Sequence, residues 1–406
     1  MRSSLRELES LTRTAGGAVA EALEQRLDRR VPGTLIGEGK VREVAEAARR
    51  HRARTVIFDE DLTAAQQKNL EAAIPAKILD RTRLILDIFS RRARTREGAL
   101  QVELAQLSYL LPRLTGRWRA YSQQVGGIGT RGPGERQLEY ERRHISRRIR
   151  HLKKDIERTK RERDVQRQKR RSIPVPQIAI VGYTNVGKST LLNALTREGA
   201  VYADDKLFAT LDPTTRRARL PGGGWAVFTD TVGFIQRLPT ALVAAFRSTL
   251  EEAALADCLI HVMDATAEDP DAQKKAVEDV LRELHADKIP RIEAVNKTDR
   301  LTRPELRALR EKRPEAVFVS ASRKTGLEAL LGRVEEALSG RWVLRELDME
   351  PGDGALLGLA YQCAQVLSQT PVDGEPGRDE GRLRLKLRVT PENWARLRAI
   401  ARDLLH

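Results

Sequence analysis

The chain has 406 residues, with 73 Lys and Arg against 57 Asp and Glu, for a formal net charge of +16. That length supports several domains with buried cores, no apolar run approaches the roughly 18 residues that span a bilayer, and the opening MRSSLRELESLTR lacks a signal-peptide core. Cys258 and Cys363 form no CxxC pair and the six His are scattered, so membrane-spanning, disulfide-rich and Cys/His zinc classes are excluded. What remains is a basic cytoplasmic protein, not an integral membrane protein, with an anionic partner.

The charge is uneven: residues 1–171 carry a net +17 and residues 172–406 a net −1. One charged run reads equally well as a solvated helix face. A basic part joined to a neutral part points further, because releasing counterions favours binding of a phosphate backbone.

In chain order, Thr55–Phe58 and Lys77–Leu79 read as strands, with Val41–Arg50 and Thr63–Ala73 as helices between short apolar runs. The alternation predicts a small α/β domain with a parallel sheet. Leu100, Leu104, Leu107, Leu111 and Leu114 then form a heptad-like stripe, answered by Leu138, Ile145, Ile149, Leu152 and Ile156. Two such helices close in sequence predict an antiparallel hairpin. Their connection, Gly126–Gln137, holds five Gly, one Pro and two Arg, and is expected to be neither helix nor strand. It is long for a helix–helix turn, and at the tip of a basic hairpin it reads as an RNA probe through Gly126, Gly127, Gly129, Arg131, Gly132, Gly134 and Arg136. Pro174 and Pro176 end the second helix and mark a boundary.

Gln177–Val181 is a short apolar strand running into Gly182, Tyr183, Thr184, Asn185, Val186, Gly187, Lys188, Ser189 and Thr190. This is GxxxxGK[ST] between a strand and a helical pattern, the setting in which backbone N–H groups wrap phosphates at a helix N-terminus. Lys188 is expected to reach the β- and γ-phosphates and Ser189 to ligate Mg²⁺. Strand Trp225–Thr229 ends in Asp230, Thr231, Val232 and Gly233; Asp230 is placed to hold Mg²⁺ through water and the Gly233 N–H to sense the γ-phosphate. Asn296, Lys297, Thr298 and Asp299 follow strand Ile292–Val295. A carboxylate at Asp299 accepts from guanine N1–H and its 2-amino group, which adenine lacks there, so GTP and GDP are selected. Asn296 can contact N7 and help fix the loop, while the Lys297 stem can cover the base. Ser320, Ala321 and Ser322 follow strand Val317–Val319, with backbone N–H groups in reach of guanine O6. All four motifs lie at strand ends, where an open α/β sheet binds its ligands.

Glu328–Leu338 reads as a last helix of this domain, closed by Gly340. A helical stretch near 355–368, a Pro/Gly-rich turn and the alternating run 382–389 predict a small α/β appendix. The Arg/Lys face of that run reads as a solvated strand face before an RNA site. The fold class is thus a multi-domain α/β protein: an N-terminal α/β domain (1–95), a basic helical hairpin (96–171), a P-loop G domain (172–341) and a small C-terminal α/β domain (342–406).

The four nucleotide motifs resemble those of translation-factor-class small GTPases. GGIGTRGPGERQLEYERRHISRRIRHLKKDIE, together with LFATLDPTTRR and DTVGFI, is similar to the HflX family of ribosome-associated GTPases within the Obg-HflX-like group. Arg136 departs from the family's Thr at that place. The resemblance implies that Phe208, Ala209, Thr210, Leu211 and Asp212 form the first switch, with Thr210 binding Mg²⁺ and closing on the γ-phosphate. It also implies a monomer that binds the 50S subunit and its 23S rRNA rather than DNA, with the hairpin tip near the peptidyl-transferase region. With GTP, such a protein splits stalled or hibernating 70S ribosomes. In some related GTPases an Asn in the place of Asn185 helps hold K⁺; the alternative is an Asn that stabilises the loop. Many GTPases orient the attacking water with a Gln just after DxxG, where this chain has Phe234. Unaided hydrolysis by Lys188, Thr210 and Gly233 is therefore expected to be slow. Two rival readings stand beside ribosome splitting: a GTPase that checks 50S assembly, and an RNA-binding module whose nucleotide only sets conformation. No P-loop in 1–134 supports an ATP-driven role.

Overall fold

The computed structural model describes residues 2–26, 30–93, 95–114, 133–171, 175–196, 214–235, 253–350, 352–372 and 382–403. They divide into two compact units, with the division between Thr159 and Lys160. No helix among the described residues is long and apolar enough to cross a membrane.

The first unit opens with α1 (Arg2–Thr14), α2 (Glu38–Arg50), β1 (Thr55–Phe58), α3 (Ala64–Ala73), β2 (Lys77–Asp80) and α4 (Arg81–Arg92). β1 and β2 pair in parallel from Thr55↔Lys77 to Phe58↔Asp80, as the alternation predicts. Thr63 starts α3 through a reciprocal cap with Gln66, which satisfies two backbone donors that a helix start leaves open. Leu70, Ile74 and Ile78 fill the core with Val41, Val44 and Phe58. Helix α1 is not among the predicted elements. Its Leu8 and Leu11 are buried, and its Glu7 joins Asp59 on the buried Arg81, at 2.9 and 2.7 Å. Asp80 closes the next layer by accepting from Leu62 N, Arg83 N, Tyr109 Oη and Arg113 Nη2.

Helix α5 (Arg96–Leu110) is capped by Thr95, whose side chain accepts from Gly98 N. The leucine stripe predicted on it is not its most buried face. Leu100, Leu104, Leu107, Leu111 and Leu114 are half-buried, whereas Gln101, Val102, Ala105 and Tyr109 are buried. The small Ala105 and the hydrogen-bonded Tyr109 and Gln101 allow the closer approach.

Helix α6 runs Pro133–Arg171, and this corrects the expected loop. Pro133–Gln137 is helical because Pro tolerates the first helical position, where its missing N–H costs nothing. Gly134 and Arg136 therefore lie in the first turns of α6, while Gly126, Gly127, Gly129, Arg131 and Gly132 lie outside the described residues. Further along, Ile145, Ile149 and Ile156 are half-buried and Leu152 is buried, between exposed basic neighbours. Arg148 forks onto Glu103 of α5 at 2.7 and 2.9 Å.

The second unit contains β3 (Gln177–Gly182), α7 (Lys188–Leu195), β4 (Thr214–Arg219), β5 (Trp225–Asp230), β6 (Cys258–Asp264), α8 (Pro270–Glu283), β7 (Arg291–Asn296), α9 (Arg303–Lys312), β8 (Val317–Phe318) and α10 (Leu327–Leu338). The sheet order is β4-β5-β3-β6-β7-β8, with β4 antiparallel and the other strands parallel. Strand residues alternate between faces. Ile178 and Ile180 pack with Leu191, Leu192, Leu330 and Val334 of α7 and α10, and Ala179 and Val181 with Val277, Val280 and Leu281 of α8. Helices thus cover both faces, as a parallel sheet requires. Helix α10 ends on Ser339, whose N–H bonds Glu336 O. Gly340 is not among the left-handed glycines, so the expected glycine cap is replaced by that bond.

His261, on β6, is 1% exposed. Burial first, then Arg291, pushes its pKa from 6.5 down to about 3. The unfolded chain therefore binds a proton that the folded unit refuses. The stability in question is present above pH 6.5 and is lost as pH falls toward 3, by about 1.4 kcal/mol per unit. Urea midpoints of the full chain are expected to be lower at about pH 5.5 than at about pH 7.5, and His261→Gln to narrow the gap. Equal midpoints in the unaltered protein would refute this.

The chain ends in β9 (Val343–Met349), α11 (Gly354–Cys363), β10 (Ala364–Pro371), β11 (Leu383–Val389) and α12 (Pro391–Asp403), an antiparallel sheet in the order β10-β11-β9 with Leu385, Leu387 and Leu397 in its core. The helical stretch expected at 355–368 stops at Cys363, and residues 364–371 form a strand instead, since pairing with β11 outweighs local helix preference. On the alternating run, Arg384 forks onto Asp348 at 2.7 and 2.9 Å, and Arg388 is buried against Glu335 of α10. Those pairings favour a neutralised strand face. Glu335 also accepts from Gly222 N at 2.8 Å, and Gln365 Nε2 donates to Trp225 O at 3.1 Å, so the turn between β4 and β5 is held from the C-terminal side.

Candidate nucleotide site

Four loops meet at the C-terminal ends of β3, β5, β7 and β8. The loop Gly182–Ser189 leaves β3 and turns through two left-handed residues, Asn185 (φ 61°) and Gly187 (φ 92°), before α7 begins at Lys188. Asn tolerates that backbone better than most side chains. Gly187 is required twice over, since an added Cβ there would also collide with the Asn296 amide.

Lys188 is 7% exposed, and its Nζ donates to Gly182 O at 3.1 Å and Tyr183 O at 2.9 Å. Burial pushes its pKa down to about 8, against the pull of Asp230. Ser189 Oγ donates to Asp230 Oδ2 at 2.6 Å. The two groups expected at Mg²⁺ are therefore neighbours, and both are hard oxygen donors of the kind that cation takes. Phe208, Ala209, Thr210, Leu211 and Asp212 lie outside the described residues.

The DTVG loop is joined to the phosphate loop through its backbone. Thr184 N donates to Phe234 O at 2.7 Å and Phe234 N to Gly182 O at 3.1 Å. Thr231 Oγ1 donates to Ile180 O at 2.8 Å. A methyl placed on Gly233 would sit 2.7 Å from Thr184 Cγ2 and 3.0 Å from Lys188 Nζ, so only glycine brings that backbone against the lysine. The Phe234 ring is 1% exposed and packs with Ala179, Val181 and Leu259. It serves the core, where burying such a side chain contributes about 2–3 kcal/mol.

At the base end, Asp299 Oδ1 accepts from Ser320 Oγ at 2.5 Å. That bond, with further help from Ser322 and Arg323, holds the carboxyl below the usual range despite partial burial. Asn296 is 2% exposed and joins two loops: its Nδ2 donates to Val186 O at 2.8 Å and its Oδ1 accepts from Ala321 N at 3.0 Å. Its amide thus fixes both loops through one N–H and its oxygen, and its second N–H is left over among the described residues. Lys297 Nζ donates to Asn185 O at 2.6 Å and pairs with Asp264 Oδ2 at 2.7 Å. Thr298 is tied to Val319 O through its hydroxyl. Sequence reading missed Asp264; its signal was an acid at the end of the apolar run Cys258–Met263.

Comparison with known proteins places the chain in a family. Family models described as "GTP-binding GTPase N-terminal", "GTP-binding GTPase Middle Region" and "50S ribosome-binding GTPase" match residues 2–90, 92–170 and 177–297. The chain is 45% identical to GTPase HflX of Alkalihalophilus pseudofirmus over 90% of its own length and 86% of that protein's. It is 42% identical to GTPase HflX of Escherichia coli, over 97% of its own length and 91% of the relative's. Among solved structures, a GTP-binding protein from the archaeon Sulfolobus solfataricus in complex with GDP matches at 25% identity and a TM-score of 0.42, covering 82% of this chain and 95% of that one. A chain matched along nearly its whole length by GTPase HflX proteins is a member of the HflX family of GTPases, which hydrolyses GTP to GDP and phosphate.

Proposed function

We propose that this GTPase binds the 50S subunit through its basic helix α6 and the preceding glycine-rich segment, and that its GTP-bound form dissociates stalled or hibernating 70S ribosomes in the cytoplasm. What supports this reading is that the guanine-nucleotide motifs and α6 occur on one chain, and that Arg142, Arg147 and Arg150 of α6 are exposed and make no ion pair among the described residues. Phosphate backbones are the natural partner of such a row. Lys188, Ser189, Asp230 and Gly233 cradle the phosphates and Mg²⁺, and Asp299 with the Ser320–Ser322 loop reads guanine. Thr210 is the further Mg²⁺ ligand that the family resemblance implies, and K⁺ beside Asn185, as in some related GTPases, is a second cation. Mg²⁺ supplies charge neutralisation of the β- and γ-phosphates. With Phe234 committed to the core, the ribosome supplies the missing stimulation.

The test is sucrose-gradient analysis of 70S particles with the protein and GTP, a non-hydrolysable analogue, GDP or ATP. Separation into subunits with GTP and the analogue alone supports splitting. Binding to 50S without splitting assigns the protein to subunit assembly instead, and no co-sedimentation with 50S overturns the proposal. In the same samples, ribosomes are expected to raise phosphate release at least about tenfold, equivalent to about 1.4 kcal/mol of barrier.

A further inference from the structure

Lys297 bridges two of the nucleotide motifs. It follows Asn296 at the end of β7 and adopts a left-handed backbone (φ 64°), directly before the turn Thr298–Arg300 that carries Asp299. Its Nζ reaches back to Asn185 O on the phosphate loop at 2.6 Å. The stem therefore spans from the base-reading loop to the phosphate loop. On the reading that Asp299 accepts from guanine and the phosphate loop holds the phosphates, it lies along the nucleoside between them.

A flexible four-carbon stem does not hold such a position unaided. Asp264, the last residue of β6, supplies the hold. Its Oδ2 meets the Lys297 ammonium at 2.7 Å. Its Oδ1 is committed to the turn that follows, accepting from Thr266 N at 2.9 Å and Thr266 Oγ1 at 2.7 Å. The turn thus uses one oxygen and the lysine the other. The acid is also fixed against the strand that delivers the lysine. Asp264 pairs with Asn296 in the parallel register of β6 and β7, and Ala265 N donates to Asn296 O at 2.9 Å. The Lys297 and Asp264 side chains are 16% and 15% exposed, so their attraction is screened less by salt than that of a surface pair.

We propose that Asp264 is a positioning residue for the guanine nucleotide: it anchors the Lys297 ammonium, so that the lysine stem stays over the base and slows nucleotide release. The inference rests on the reading of that stem as the cover of guanine. The ammonium places two of its three hydrogens, one on Asn185 O and one on Asp264. Without the acid the carbonyl alone holds it, and the stem regains rotamers that must be ordered again whenever a nucleotide binds. Choice of base stays with Asp299, so Asp264 sets how long a guanine nucleotide stays and not which base is taken.

Asp264→Asn keeps an oxygen for Thr266 and replaces the oxygen that meets Lys297 by an amino group. Lys297→Met keeps an unbranched stem and removes the charge. In the full chain, a fluorescent GDP analogue is expected to leave about tenfold faster from Asp264→Asn, equal to about 1.4 kcal/mol, and at least as fast from Lys297→Met. The double variant is expected to release it no more than about twofold faster than Lys297→Met alone, because the acid acts through the lysine. Two results would overturn the proposal: Asp264→Asn releasing at the parent rate, or its full effect recurring in the Lys297→Met background, the mark of a role confined to the Thr266 turn. Lys297→Met releasing at the parent rate would remove the reading of the lysine as a base cover, and the proposal with it. Fast release from Lys297→Met with parent release from Asp264→Asn would leave that reading standing and remove the anchor alone.

Discussion

Lys188→Ala is expected to lower the rate of GTP hydrolysis by about 10³-fold, the size of effect seen when a preorganised donor is removed from a developing negative charge. The lysine is held inside the phosphate loop by two carbonyls, at 3.1 and 2.9 Å, so it does not need to be ordered when substrate arrives. Its burial holds the pKa near 8, and incoming phosphates favour the ammonium form, so bound nucleotide keeps the charge that the empty site weakens. Phosphoryl transfer depends on such neutralisation more than on any covalent step. Lys188→Arg should not rescue the rate, because the guanidinium fork is wider than the niche between Gly182, Tyr183 and Gly233. Phosphate release under single-turnover conditions is the measurement, and a variant within about tenfold of the parent would refute the assignment.

Asp299→Asn is expected to weaken GDP binding about 10²- to 10³-fold and to strengthen binding of xanthosine diphosphate. The carboxyl is kept ionised by Ser320, so it can only accept. Guanine presents two donors to it, N1–H and the 2-amino group. Hydrogen bonds to a charged group contribute roughly 1.5–3 kcal/mol each, which sets the expected loss. Asparagine turns one acceptor into a donor, the match for the 2-oxo group of xanthine. Fluorescence titration of both nucleotides decides the matter. Unchanged preference for guanine would place recognition elsewhere, on the backbone of Ser320–Ser322.

The placement of the four motifs at strand ends was legible because each follows an apolar strand, and strand ends in a parallel sheet are where ligands sit. Less legible elements were decided by partners distant in sequence. Strand β4 reads Thr-Thr-Arg-Arg-Ala-Arg; an edge strand paired on one side needs no apolar alternation, so its pattern is silent. Helix α1 depends on Glu7 reaching Arg81. The start of α6 was hidden by Pro and Gly that usually break helices, though Pro133 at the first position does not. The leucine stripe of α5 misled for another reason: Asp80 draws Tyr109 inward by a hydrogen bond at 2.8 Å, and hydrophobicity alone cannot register that. Asn296 was expected both at the base and in fixing the loop, and the structure shows the loop-fixing bonds, which join segments over a hundred residues apart in the chain.

That amide has a thermodynamic corollary. One rigid planar group links Val186 O on the phosphate loop to Ala321 N on the base-reading loop. Neither loop can shift by much without breaking a buried bond, so the two ends of the pocket share one conformational equilibrium. Whatever occupies one end narrows the ensemble available to the other, and the coupling runs equally in both directions. Guanosine and inorganic phosphate, offered as separate molecules, would therefore each help the other bind before any covalent link joins them, and the intact nucleotide adds to that mutual aid the advantage of arriving as one molecule.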